Sequence, residues 1–157
     1  MVLIGIATTV NAEDRAAVLG HWAGEDSIIE VAENAGTLSA KIVSMLDPLY
    51  KENEDGPVGT PRVDLKNPDA SLRARRLMGL DLLSAYEFKK NKWQGNLYDP
   101  ESGKTYKSQL TVDDGKLQMR GYIGTPMLGR TEEWTPVSAC AGNTPKMLAS
   151  AKLPPCA

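Results

Sequence analysis

Three kinds of side chain in this sequence have the chemistry to act on a substrate or hold an ion: one histidine, two cysteines and a set of carboxylates. His21 adjoins Trp22, so on an extended strand the two point to opposite sides. A nucleophile–histidine site would have to recruit His21, and both cysteines, Cys140 and Cys156, lie in the C-terminal stretch. A single histidine and no CxxC spacing leave no transition-metal ligand set, so neither a metal nor a cofactor is expected. The glycines fall in turn-like stretches, without the strand-to-helix pattern that cradles phosphate. Asp64, Asp81, Asp99 and Glu132 are the carboxylates in a position to do acid–base work as a pair. Asp99, however, precedes Pro100, where an aspartate opens a turn and bonds the backbone two residues on. Asp64 and Asn67 suit a loop in the same way. No catalytic residue is assigned, and the reading leans away from an enzyme.

The one basic cluster is Arg73-Ala74-Arg75-Arg76. It suits an anionic ligand or headgroup, or else a solvated face with Arg73 packed against Asp64 or Asp69. No aromatic residue interleaves it and the net charge is −2, so nucleic acid is not an expected partner.

The elements that must position these residues are short and mostly extended. Residues 19–24, 27–33, 37–46, 81–88, 93–98, 104–112, 116–123 and 130–135 read as about eight strands. Leu38, Ala40 and Ile42 alternate with Ser39 and Lys41; Leu82, Tyr86 and Phe88 share a parity; so do Leu117, Met119 and Ile123. Asn34-Ala35-Gly36 and Asp113-Asp114-Gly115 are hairpin signals. Residues 47–61 form a polar loop. Asn67-Pro68-Asp69, followed by Ala70, Leu72, Leu77 and Met78, predicts a capped helical turn or two. Eight antiparallel strands joined by tight turns can close into an up-and-down barrel with room for one small ligand; a β-sandwich is the alternative.

The ends differ from this middle. Val2, Leu3, Ile4, Ile6, Ala7 and Val10 form an uncharged apolar run, followed by Val10-Asn11-Ala12 and then Glu13-Asp14. This is the apolar core and cleavage site of a secretory signal without its basic front end; a first strand is the alternative. The run is too short to span a bilayer. Residues 1–12 are therefore expected to be a signal peptide, 13–136 a barrel domain and 137–157 a tail, with the protein in the periplasm or secreted. In an oxidising compartment Cys140 and Cys156 read as a disulfide stapling that tail, around a short helix near residues 145–152.

Taken together, Gly20-His21-Trp22, Asp64-Leu65-Lys66-Asn67-Pro68, Leu72-Arg73, Gly79-Leu80, Trp93-Gln94-Gly95, Tyr98-Asp99-Pro100-Glu101-Ser102-Gly103-Lys104-Thr105-Tyr106, Leu117, Arg120-Gly121-Tyr122 and Gly129-Arg130-Thr131-Glu132-Glu133-Trp134 resemble one bacterial exported family, "domain of unknown function 2147". The resemblance spans about residues 17–136 and departs from the family pattern at Pro136, where a basic residue is expected. It implies a periplasmic or secreted lipocalin-like barrel with no established activity. The motif residues are Asp64, Asn67, Arg73, Trp93, Tyr98, Asp99, Tyr122 and Trp134. In such a barrel Gly20 leaves room for the Trp22 indole to cross the floor, and Arg130 from the last strand lies on its face, closing one end. Parity places Tyr106 and Leu110, with Leu117 and Met119 on the adjacent strand, along a cavity for a small apolar or amphiphilic molecule. The alternative is a barrel filled with side chains, whose loop or tail contacts an envelope protein.

Overall fold

The computed structural model describes residues 9–156. The expected signal segment thus falls partly outside the described residues. What is described of it, from Thr9, starts helix α1 (Thr9–Ala17). Eight antiparallel strands follow: β1 (Gly20–Ala23), β2 (Ser27–Asn34), β3 (Thr37–Met45), β4 (Leu83–Lys89), β5 (Lys92–Asp99), β6 (Lys104–Asp113), β7 (Lys116–Tyr122) and β8 (Arg130–Pro136). Helix α2 (Thr144–Ser150) ends the chain's regular structure.

The sheet order is β3-β2-β1-β8-β7-β6-β5-β4. Apart from β3 and β4, consecutive strands pair as hairpins, and β1 pairs with β8 through Trp22↔Pro136 and Ala23↔Thr135. Proline has no N–H to continue the ladder, so β8 stops at Pro136. The two sheet edges meet through residues 79–82: the Ile42 N–H donates to the Leu80 carbonyl (3.1 Å), Gly79 N–H to Ile42 (2.8 Å) and Leu82 N–H to Ala40 (2.9 Å). Asp81 Oδ1 accepts from the Ala40 and Leu83 amides at 2.9 and 3.1 Å, which holds this seam. The result is a nearly closed up-and-down barrel, as the alternating pattern predicts.

Two details differ from the alternation in the sequence. In β4 the register shifts between Ser84 and Glu87, and Ala85 takes φ +53°. This bulge turns both Leu83 and Tyr86 inward. Ile123, expected on the inner face of β7, lies past the strand end and is exposed. The expected helical insert is one 3₁₀ turn, Ala70–Leu72, capped by the Asp69 side chain on Ser71 N.

The barrel interior is an apolar cluster that includes Trp22, Ile29, Leu38, Trp93, Leu110, Leu117 and Trp134. A second cluster lies outside the wall, where Met147 and Leu148 of α2 pack on Ala23 and Ile28. Ser44 Oγ donates to the Met147 carbonyl at 2.6 Å. The Cys140–Cys156 disulfide then fixes the tail, as expected. The tail helix is thus part of the wall's outer packing.

Candidate ligand-binding cleft

One end of the barrel is shut. The α1 segment crosses it, and two indoles donate to its backbone: Trp93 Nε1 to the Arg15 carbonyl (3.0 Å) and Trp22 Nε1 to the Val18 carbonyl (2.8 Å). The Arg15 guanidinium lies 4.9 Å from the Trp93 ring centroid and 5.8 Å from that of Phe88, and pairs with Glu33. This corrects the expected closure by Arg130. Arg130 pairs with Gly121 at the far end of β8, six residues from the Pro136 that neighbours Trp22, and is exposed. The arginine at the floor comes from the helix before the barrel. Gly20 also has a different reason: nothing lies within 4 Å of where its Cβ would be, and its φ of +126° is what calls for glycine.

Above this floor the interior is filled. Leu110, Leu117, Trp93 and Ile29 have 0% exposed surface and Met119 2%. None of these four fully buried side chains touches a space that admits water. Leu110 and Leu117 therefore form core where a cavity wall was expected, because indoles from three strands occupy the volume. Tyr106 is only half-buried. Midway up, Tyr86 crosses β5 where Gly95 admits it, since a Cβ there would sit 2.4 Å from the ring. Its hydroxyl bonds Ser108 Oγ. Burial pushes the Tyr86 phenol well above its ordinary value. The Trp134 indole covers Gly24, and its Nε1 has no hydrogen-bond partner among the described residues.

The other end is open. A cleft of about 690 Å³ lies between the β3–β4 connection, the Asp26 turn and the β5–β6 turn, with Met45 and Leu77 at its base and Asp26, Asp55, Lys66 and Glu101 on its rim. Both Met45 and Leu77 pack on the barrel core from above. Two locks shape the connection. In the first, the Tyr50 ring fills the space a Gly56 Cβ would take, and its hydroxyl bonds the Val63 backbone. Arg62 lies 5.2 Å from the Tyr50 ring centroid and pairs with Glu54 (2.7 Å). Arg62, together with the Lys51 amide, holds the Glu54 carboxyl below its ordinary value.

The second lock gathers the motif residues. Asp64 is fully buried and accepts from the Tyr98 hydroxyl (2.5 Å), Asn67 Nδ2 (2.8 Å) and Arg75 Nε (2.8 Å). Arg75, and not Arg73, is the partner of Asp64. Arg73 donates to the Asn67 carbonyl at 2.7 Å. Burial, and then Asp64, push the Tyr98 phenol up to about 12. Asp99 opens the next turn as expected, accepting from Glu101 N (2.9 Å) and Ser102 Oγ (2.5 Å). Gly103 then meets the connection so closely that a Cβ would lie 1.9 Å from the Lys66 carbonyl oxygen. These motif residues build the rim of the cleft. Glu132 looks into the same mouth. Partial burial, and then Asp99, Glu101 and Asp26, raise its carboxyl above its ordinary value.

Of the remaining expected residues, Trp134 is core and Tyr122 is half-buried on β7 opposite Lys107. Arg15, Tyr50 and Arg62 were not singled out from sequence, and Arg75 only as a member of the basic cluster, because each works through a partner distant along the chain or across a loop.

A family model described as "Uncharacterized protein conserved in bacteria (DUF2147)" matches residues 20–136. No curated protein matches. Among solved structures, the chain is similar to one titled "Protein HP1028 from the human pathogen Helicobacter pylori belongs to the lipocalin family". The two are 22% identical with a TM-score of 0.62, over 87% of this chain and 90% of that one. At that identity the likeness shows the fold, a lipocalin-like barrel.

Proposed function

The chain belongs to the DUF2147 family of bacterial proteins, and from that premise we propose that it binds a small amphiphilic molecule in the cleft at the open end of its barrel. The observation that carries this reading is the division of the barrel into a filled lower part and an open mouth with an apolar base. An apolar segment resting on Met45 and Leu77 leaves the surrounding water, while a polar group stays at the charged rim. Lipocalin-like barrels are suited to holding one small ligand. The protein acts in the periplasm or after secretion; the apolar run before Glu13 and the Cys140–Cys156 disulfide support this placement.

Native mass spectrometry of the chain purified from a periplasm, beside the denatured sample, tests the reading. A mass excess that disappears on denaturation is expected. Leu77→Arg should remove it without unfolding the protein. A carried mass that persists in Leu77→Arg would place the ligand elsewhere, and no carried mass under any extraction would count against the carrier reading. The filled interior favours a second reading, in which the barrel is a scaffold and its mouth loops contact an envelope protein.

A further inference from the structure

The loop joining β7 to β8 carries three apolar side chains in solvent: Ile123, Met127 and Leu128 are 74%, 90% and 80% exposed. Their backbone is nevertheless pinned. Arg120 Nε donates to the Pro126 carbonyl at 2.7 Å, and its two terminal nitrogens reach Thr131 Oγ1 (2.7 Å) and the Met127 carbonyl (3.4 Å). Pro126 begins a 3₁₀ turn, Pro126–Leu128. Gly129 folds back on β7, where a Cβ would sit 2.6 Å from the Gly121 carbonyl oxygen. An arginine, a proline and a glycine thus hold a tip whose side chains have little of the chain to pack on. A small apolar cluster displayed on an ordered loop marks an interaction site.

Its surroundings are basic. Arg120 shares the outer face of β7 with Tyr122 and Lys107 lies opposite Tyr122 on β6, whereas Arg130, at the start of β8, has the inward parity of Glu132 and belongs to the mouth. On this outer face Glu133 sits further down the wall, bonded to Lys116 and Gln118. Because Arg120 belongs to the outer face, its bonds draw the tip over the wall and away from the carboxylates of the mouth.

We propose that this tip docks the protein on an anionic lipid surface, with Ile123, Met127 and Leu128 entering the interface and Arg120 and Lys107 meeting the headgroups. Two observations select lipid as the occupant. Three side chains on one loop fall well short of the roughly 800 Å² per partner of a stable protein interface, whereas a bilayer needs no matching shape. The basic collar with a tyrosine at its edge complements anionic headgroups. The proposal is independent of what the cleft holds.

The test is co-sedimentation of the full chain with vesicles of phosphatidylglycerol and phosphatidylcholine, beside vesicles of phosphatidylcholine alone. Binding to the anionic vesicles, weakened by added salt, is expected. Met127→Asp with Leu128→Asp should lower partitioning about tenfold or more, with an unchanged unfolding temperature. Lys107→Glu should flatten the salt dependence. Because every variant carries the same N-terminal apolar run, equal binding of the tip variant and the parent would assign binding to another part of the chain and overturn the proposal. So would failure of the parent to sediment with anionic vesicles. Self-association without lipid that the tip substitutions abolish, with no vesicle binding, would make a second copy the occupant and equally overturn it.

Discussion

Asp64 is a carboxylate with no exposed surface, and its partners explain how that is tolerated. Three donors from Asn67, Arg75 and Tyr98 replace its water. Removing it strands all three around the gap. Asp64→Ala should therefore cost about 3–5 kcal/mol in urea unfolding, and the mouth connection should become sensitive to proteolysis. Tyr98 adds a pH signature. Its phenol is raised from 10.0 to about 12, so the folded state favours the neutral form. The stability this represents is fully present below pH 10 and is lost as pH rises towards 12. Tyr98→Phe should remove that part of the alkaline transition, followed by circular dichroism. Glu132 has the same sign at the acid end. Its raised value means that the charged carboxylate is disfavoured in the fold. Its stabilising contribution is present at low pH and lost as pH rises through the folded value. Glu132→Gln should thus raise the melting temperature at pH 7, and the difference should close in acid; an equal shift at both would reject the charge crowding at the mouth.

At the scale of elements, α1 and the β5–β6 turn do comparable work at opposite ends. The backbone of α1 and of Val18 just after it satisfies two indole donors, and Arg15 covers Trp93 and Phe88. Arg15→Ala should lower the melting temperature and shift tryptophan emission to the red as water reaches Trp93. An unchanged emission spectrum would mean that the helix backbone alone seals the floor. The β5–β6 turn is set by Gly103, which needs both its φ of +70° and the absence of a Cβ against Lys66. Gly103→Ala should cost more than about 2 kcal/mol by chemical unfolding. It should also loosen the cleft rim.

For the molecule as a whole, closure comes from three sources: the β1–β8 pairing, the seam of residues 79–82 on β3, and the tail strapped over β1 to β3. The disulfide closes the tail on itself around α2, with a sequence separation of 16. A loop of this size stabilises by on the order of 3 kcal/mol. Cys140→Ser with Cys156→Ser should lower stability by about that amount. The α2 contacts with Ala23 and Ile28 should keep the barrel folded under native conditions.

Strand positions and turns were legible in the sequence because they rest on local causes. Alternation in β3, β6 and β7 marks an inner and an outer face, and Asp113-Asp114-Gly115 fits only a tight reversal. The cysteine pair was legible for a similar reason, since two cysteines in one short tail have one bridging partner each. Which end of the barrel a side chain reaches is another matter. Arg130 was the natural choice for the floor from its place in the last strand, yet strand direction carries it to the mouth. The true floor residue, Arg15, meets Trp93 from 78 residues away. Likewise Arg75 and Arg73 are equivalent in the sequence, and only the path of the loop past Tyr98 selects Arg75 for Asp64. Parity could put Leu110 and Leu117 inside the barrel, but whether that inside is space or packing depends on the summed volumes of residues from every strand. Only the closed tertiary structure brings those residues together, and it fills the lower barrel and leaves the opening at the mouth.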